Sequence, residues 1–116
     1  MPKTAVAAAC TYYVYAIELD PSVLKVKAFR DANPGASPER PPVYVGMTGR
    51  TPELRFQQHR AGYKSSRFPR HFGVRLRHDL VRRFGTERYA TQDAACAGEA
   101  RLALALREAG FSAWYN

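Results

Sequence analysis

The strongest constraint on the fold is one long helix pattern late in the sequence. Gln92 or Asp93 opens an amphipathic run that continues through Leu106 and ends at Gly110, a residue suited to the C′ position because it adopts a left-handed conformation without steric cost. At about 100° per residue, Leu106, Leu102, Ala95 and Ala103 fall within about 60° of Glu99, while Arg101 and Glu108 fall on the opposite side. Glu99 therefore sits in the apolar stripe. A carboxylate on a core-facing stripe is costly unless it is paired, neutralised or bound to a metal. Two readings stay open: a rim residue or partner of a buried arginine, and a metal ligand.

The stripe needs a sheet to pack on, and three segments have strand character. Tyr12–Leu19 is aromatic and β-branched and stops at Asp20-Pro21, with Tyr13 and Tyr15 on one face. Val43–Gly46 is a short strand ended by glycine, and Phe111–Tyr115 alternates as a last strand. Between the first two, a short helix fits Ser22 to about Asp31, and Asn33 to Pro42 is loop, so that about 20–42 forms a long insertion. Thr51-Pro52-Glu53 starts a helix with an N-cap, proline at the first helical position and an acid in the first turn; this helix runs to about Ala61-Gly62. The stretch from Tyr63 to Tyr89 is mixed and basic, with a helix around Asp79 to Phe84. The 116 residues have room for one domain, 1–116, with one modest core.

A formal net charge of +8 favours contact with polyanions, nucleic acid first. A membrane surface would need basic residues on one face of an amphipathic helix with bulky apolar residues opposite, and no segment has that pattern; nor is any apolar stretch long enough to span a bilayer. Cys10 and Cys96 lack CxxC spacing and a His-rich neighbourhood, which points away from a zinc site or disulfide framework and toward a reduced, cytoplasmic protein. The run Ala5–Cys10 has the length of a signal-peptide core, but only Lys3 precedes it and it leads straight into the tyrosine-rich strand.

Several residue types could carry chemistry. Arg55 and His59 are four apart and share the helix sector between Leu54 and Phe56, which turns them toward the interior or a cleft. There an arginine can stabilise a phosphoryl oxyanion and a histidine can move a proton; an exposed, merely solubilising face is the competing reading. Strand tyrosines such as Tyr12, Tyr13, Tyr15 and Tyr44 usually pack with wet hydroxyls, and one acts as a general base only where a neighbouring cation or metal-bound water lowers its pKa. Gly46 and Gly49 would let backbone approach a phosphate. Arg60, Lys64, Arg67, Arg70, Arg75 and Arg77, interleaved with Tyr63, Phe68, His71 and Phe72, suit backbone tracking with base stacking; a solvated charged face is the alternative.

In this order the residues resemble the GIY-YIG nuclease family. Tyr13-Val14-Tyr15 looks like its first motif and Tyr44-Val45-Gly46 like its second. Thr48, then Leu54-Arg55-Phe56-Gln57-Gln58-His59 with Gly62, matches its arginine helix, Glu99 its metal-ligand position, and Gly110 to Asn116 its final strand and asparagine. The resemblance spans Tyr12 to Asn116. It implies an α+β domain with a small three-stranded antiparallel sheet flanked by helices, and one divalent metal, Mg²⁺ or Mn²⁺, held by Glu99. Arg55 would steady the pentacovalent phosphate, and Tyr15 or Tyr44 would deprotonate or orient the attacking water with support from His59. Gly46 would allow close packing near the scissile phosphate, and Asn116 would fix the last strand. The chain departs from the family in having Tyr13 where the first motif usually has glycine, and in the length of the 20–42 spacer. It also carries no attached targeting module.

The function implied is a stand-alone endonuclease cutting one DNA strand per active site, in repair, recombination or defence. A single site would need a homodimer or sequential nicking to cut both strands, and target choice would call on another protein. A non-catalytic nucleic-acid-binding module on the same fold and a ribonuclease are the alternatives, since the motifs address phosphate and metal with no visible reader of the 2′-hydroxyl.

Overall fold

The computed structural model describes residues 11–116; the Ala5–Cys10 run and Cys10 itself lie outside them. The described chain is α+β. Its strands are β1 (Tyr12–Leu19), β2 (Val43–Thr48), β3 (Gly73–Leu76), β4 (Arg88–Tyr89) and β5 (Ala113–Tyr115). Its helices are α1 (Lys27–Asp31), α2 (Pro52–Ala61), α3 (Arg67–Phe72), α4 (His78–Phe84) and α5 (Gln92–Glu108), with a 3₁₀ turn at Pro21–Lys25.

The sheet corrects the three-stranded antiparallel expectation, since it is mixed and has five strands. β1 pairs antiparallel with β2, setting Tyr15 opposite Gly46, and β5 joins the far side of β2 in parallel, with Val43 opposite Ala113. The parallel pairing is possible because all of α2 to α5 separates β2 from β5, long enough for a crossover. β3 and β4 share the other edge of β1, at Ile17 to Leu19 and at Tyr12 to Tyr13 respectively. The backbone bonds Val14 N to Glu87 O and Arg77 N to Ala16 O bridge the gap between them, so the two short strands act as one interrupted edge. Strands of four and two residues with exposed arginines leave little periodic signal, and edge strands are commonly short and charged.

Alternation along β1 splits the core. Val14 and Ala16 join Val43 and Val45 against Leu80 and Val81 of α4 and Leu102, Ala103 and Leu106 of α5. Tyr15, Ile17 and Leu19 join Tyr44 on the other face, where Val23, Phe29 and Phe68 cover them. The insertion is thus partly helical, and it works as a lid on this face and on the β5 edge. Phe29 stacks on Trp114 at 6.2 Å. Buried Asn33 accepts from the Ala113 amide (2.8 Å) and from Arg107 Nε (3.1 Å) while donating to Phe29 O. An edge that would otherwise present an open amide is closed by a side chain.

Local chemistry sets the site-bearing helices as expected. Thr51 accepts from Leu54 N to cap α2, and Gly62 ends it at φ 81°. Thr91 caps α5. β2 runs two residues past the expected glycine stop, to Thr48. Leu54 is not in the core; it is 37% exposed, while His59 is buried and Arg55 half-buried. Helix α2 therefore turns polar residues inward. Among the described residues no helix is long and apolar enough to cross a membrane.

Candidate active site

Five elements meet at a cleft of about 300 Å³ lined by Tyr15 of β1, Tyr44 and Gly46 of β2, Arg55 of α2, Glu99 of α5 and Asn116 just beyond β5. A larger cavity of about 860 Å³ lies elsewhere, between the 32–36 loop and the outer side of α5. Its arginine Arg107 is already committed to Asn33 and to the Ala113 carbonyl, and no tyrosine–histidine or buried carboxylate set converges there. The smaller cleft holds the titratable groups, and chemistry follows groups rather than volume.

Tyr15 and Gly46 face each other across β1 and β2, and the Tyr15 ring lies over the glycine. A Cβ at Gly46 would collide with that ring and its hydroxyl, with Cε1 at 3.0 Å. Gly46 thus makes room for a buried tyrosine. Behind Tyr15 stands His59, its Nε2 2.7 Å from the phenol oxygen; on the other side of the ring, Nδ1 is 2.7 Å from Ser65 Oγ. Burial, with Arg55 beside it, pushes His59 down to about 4, so the imidazole is neutral at neutral pH. Burial also drives the Tyr15 phenol well above its ordinary range, helped by Tyr44 and opposed by Arg55.

Arg55 is held from three sides: Nη1 donates to Gln58 Oε1 and Tyr63 O, both at 3.1 Å, and Nη2 to Lys64 O at 2.7 Å. Lys64 adopts φ 45°, the one non-glycine residue with positive φ among those described, and the turn it makes aims these carbonyls at the guanidinium. Strain of this kind is stored where a side chain must be fixed. Tyr44 accepts from Asn116 Nδ2 at 2.9 Å, and burial, then the Glu99 charge, pushes it up to about 12. Asn116, expected to fix the last strand, also ties that strand to a cleft tyrosine.

Glu99 is 8% exposed, as its stripe position predicts, with Leu102, Ala103 and Leu106 buried beside it and Arg101 and Glu108 exposed. Burial pushes its carboxyl up to about 7, opposed by the Asn116 backbone amide. Among the described residues it enters no ion pair, so the buried-arginine reading of Glu99 fails. Nor does any group of three or more His, Cys, Asp or Glu converge among them.

The six basic residues divide into two groups. Arg60, Lys64, Arg67 and Arg70 are exposed or half-exposed along α2, α3 and the turn between them, next to Arg55 and His59. Arg75 and Arg77 lie at the β3 edge and are engaged: both bond Glu18, and Arg77 also forks onto Asp79, which raises its already high pKa further. Of the interleaved aromatics Phe68 is buried and Phe72 half-buried, leaving Tyr63 and His71 as the exposed rings. Sequence reasoning misses Ser65 and Ser66, because two serines after a helix carry no periodic mark.

Comparison of the chain with protein-family models, curated proteins and solved structures finds no match.

Proposed function

We propose that the chain is a divalent-metal-dependent endonuclease of the GIY-YIG type, hydrolysing phosphodiester bonds of DNA one strand at a time. The observation that carries this reading is the convergence, in one cleft, of an anchored arginine, a tyrosine bonded to a neutral histidine, and a buried carboxylate lacking any cationic partner among the described residues. A nucleic-acid-binding module has no use for an unpaired carboxylate beside the phosphate path.

Glu99 is the residue to hold Mg²⁺ or Mn²⁺. One carboxylate suits an ion that keeps most of its waters and takes its remaining ligands from substrate phosphate. Bound there, the ion would neutralise charge developing at the phosphate and the leaving oxygen. Arg55, fixed on two backbone carbonyls, meets the equatorial oxygens without reorganising. Tyr15, kept protonated by burial, would serve as a relay and not as a base of its own: as the new O–P bond forms, the water proton passes to Tyr15 Oη while the Tyr15 proton passes to His59 Nε2, 2.7 Å away, and the bond to the leaving oxygen breaks. His59, held low by burial, is unprotonated and ready to receive it. Arg60, Lys64, Arg67 and Arg70 would carry the flanking phosphates.

Nicking of supercoiled plasmid and of a branched oligonucleotide by purified protein in Mg²⁺ or Mn²⁺, with EDTA and an RNA of the same sequence as controls, tests the proposal. Metal-dependent DNA nicks support it. Cleavage of RNA alone would move the substrate, and salt-sensitive binding with no cleavage of either would leave a binding module.

A further inference from the structure

Ser65 sits just after helix α2, at 2.7 Å from His59 Nδ1 and 2.8 Å from the Ser66 carbonyl. A serine hydroxyl has one proton, and a carbonyl oxygen can only accept. Ser65 therefore gives its proton to Ser66 O and must accept from His59, which places the imidazole proton on Nδ1. Nε2 is then a bare acceptor, and the 2.7 Å contact with Tyr15 can only be Tyr15 Oη–H donating to it. The opposite arrangement, with Ser65 donating to Nδ1, would leave two oxygens 2.8 Å apart with no proton between them.

From this chain of bonds we infer that Ser65 is a positioning residue that locks His59 in its Nδ1–H tautomer, so that the Tyr15 hydroxyl points its proton away from the cleft and presents its lone pairs to the attacking water. The inference rests on the hydrolytic reading of the cleft only for its consequence; the tautomer itself is a property of the resting protein. No other buried group competes for Nδ1 among the described hydrogen bonds, and the Ser66 carbonyl that orients Ser65 belongs to the N-cap of α3, a backbone point fixed by the first turn of that helix. The direction of proton flow is thus written by a backbone carbonyl reached from the tyrosine through His59 and Ser65. The Nδ1–H then stays bonded to Ser65 Oγ while Nε2 takes the Tyr15 proton, so the imidazolium formed in the reaction keeps a partner on each nitrogen.

Nitrogen-15 spectra of histidine-labelled protein at neutral pH read the tautomer directly, whether or not the protein cuts. The wild type should show His59 with a protonated Nδ1 and an unprotonated Nε2. Ser65→Ala should move the signals toward the Nε2–H form, and Ser65→Thr, which keeps the hydroxyl, should restore the wild-type pattern. Under cleavage conditions Ser65→Ala should lose about a hundredfold in kcat with KM little changed, and Ser65→Thr should recover most of it. A wild-type Nε2–H tautomer, or a Ser65→Ala protein whose tautomer is unchanged, overturns the inference. The expected tautomers in a protein that cuts nothing would instead sink the nuclease reading and leave the tautomer lock standing.

Discussion

The two faces of the sheet start from the same strands and end in different chemistry. On one, Val14, Ala16, Val43 and Val45 meet α4 and α5 through aliphatic side chains, and nothing in that cluster needs a polar partner. On the other, Phe29, Phe68 and Trp114 pack just as closely at one end, while at the opposite end Tyr15 and Tyr44 carry hydroxyls into bonds with His59 and Asn116, and His59 in turn bonds Ser65. A buried polar chain is tolerated only when each member is satisfied, and among the described side chains no fully buried polar atom lacks a partner. The first face is held by apolar packing alone, whereas the second gives up part of its packing to polar contacts.

The largest effect expected from breaking this division is on Arg55. Arg55→Ala should lower cleavage about a thousandfold, measured in single turnover, while binding of the oligonucleotide falls little. Equal loss of both would reduce Arg55 to a phosphate anchor. On the apolar face, Leu102→Ala should cost about 3 kcal/mol in urea unfolding and leave the rate of the folded fraction unchanged. Gly46→Ala should do damage of both kinds, losing about 2 kcal/mol and displacing the Tyr15 ring, with cleavage falling more than stability explains.

Glu99 and His59 make the surroundings of the cleft respond to pH in opposite senses. His59 is depressed from 6.5 to about 4, so the stability of the folded state with respect to this group is fully present above pH 6.5 and is lost as pH falls toward 4, because the unfolded chain takes up a proton there that the folded one refuses. Glu99 is raised from 4.5 to about 7, so its contribution is fully present below pH 4.5 and is lost as pH rises through 7. Glu99→Gln should therefore raise the melting temperature of the metal-free protein at pH 8, by about 4 °C for each kcal/mol recovered, with little change at pH 4. Mn²⁺ should stabilise the wild type at pH 8 and not this variant; equal stabilisation of both would remove Glu99 from the metal site.

The smallest effects belong to the surface. Changing Arg60, Lys64, Arg67 and Arg70 to Gln should weaken binding and flatten its salt dependence by about one unit of slope for each phosphate no longer neutralised. Arg75→Gln should leave the slope unchanged, because that side chain is paired with Glu18. A slope that falls for Arg75 as well would rejoin the two basic groups that the structure separates.

Much of this was legible in the residues. Proline after Thr51, glycine at 62 and the stripe through Ala95, Leu102 and Leu106 announced α2 and α5, because capping and periodicity are local physics. Glu99 was legible as an anomaly within that stripe. The edge strands β3 and β4 were not, since strands of four and two residues are defined by partners distant in sequence. Leu54 misled, because on an inward-polar helix the apolar residue can be the exposed one. The insertion gave no sign that Asn33 would close the β5 edge, nor Ser65 that it would touch His59, as both contacts depend on tertiary placement.

Single-turnover cleavage of a labelled branched DNA by wild type, Glu99→Gln and Leu106→Val, side by side in Mn²⁺ and in EDTA, separates a Glu99-held metal nuclease from every alternative. Wild type and Leu106→Val should cut at similar rates in Mn²⁺ alone, and Glu99→Gln should not cut. Cutting that persists in EDTA or in Glu99→Gln would contradict it.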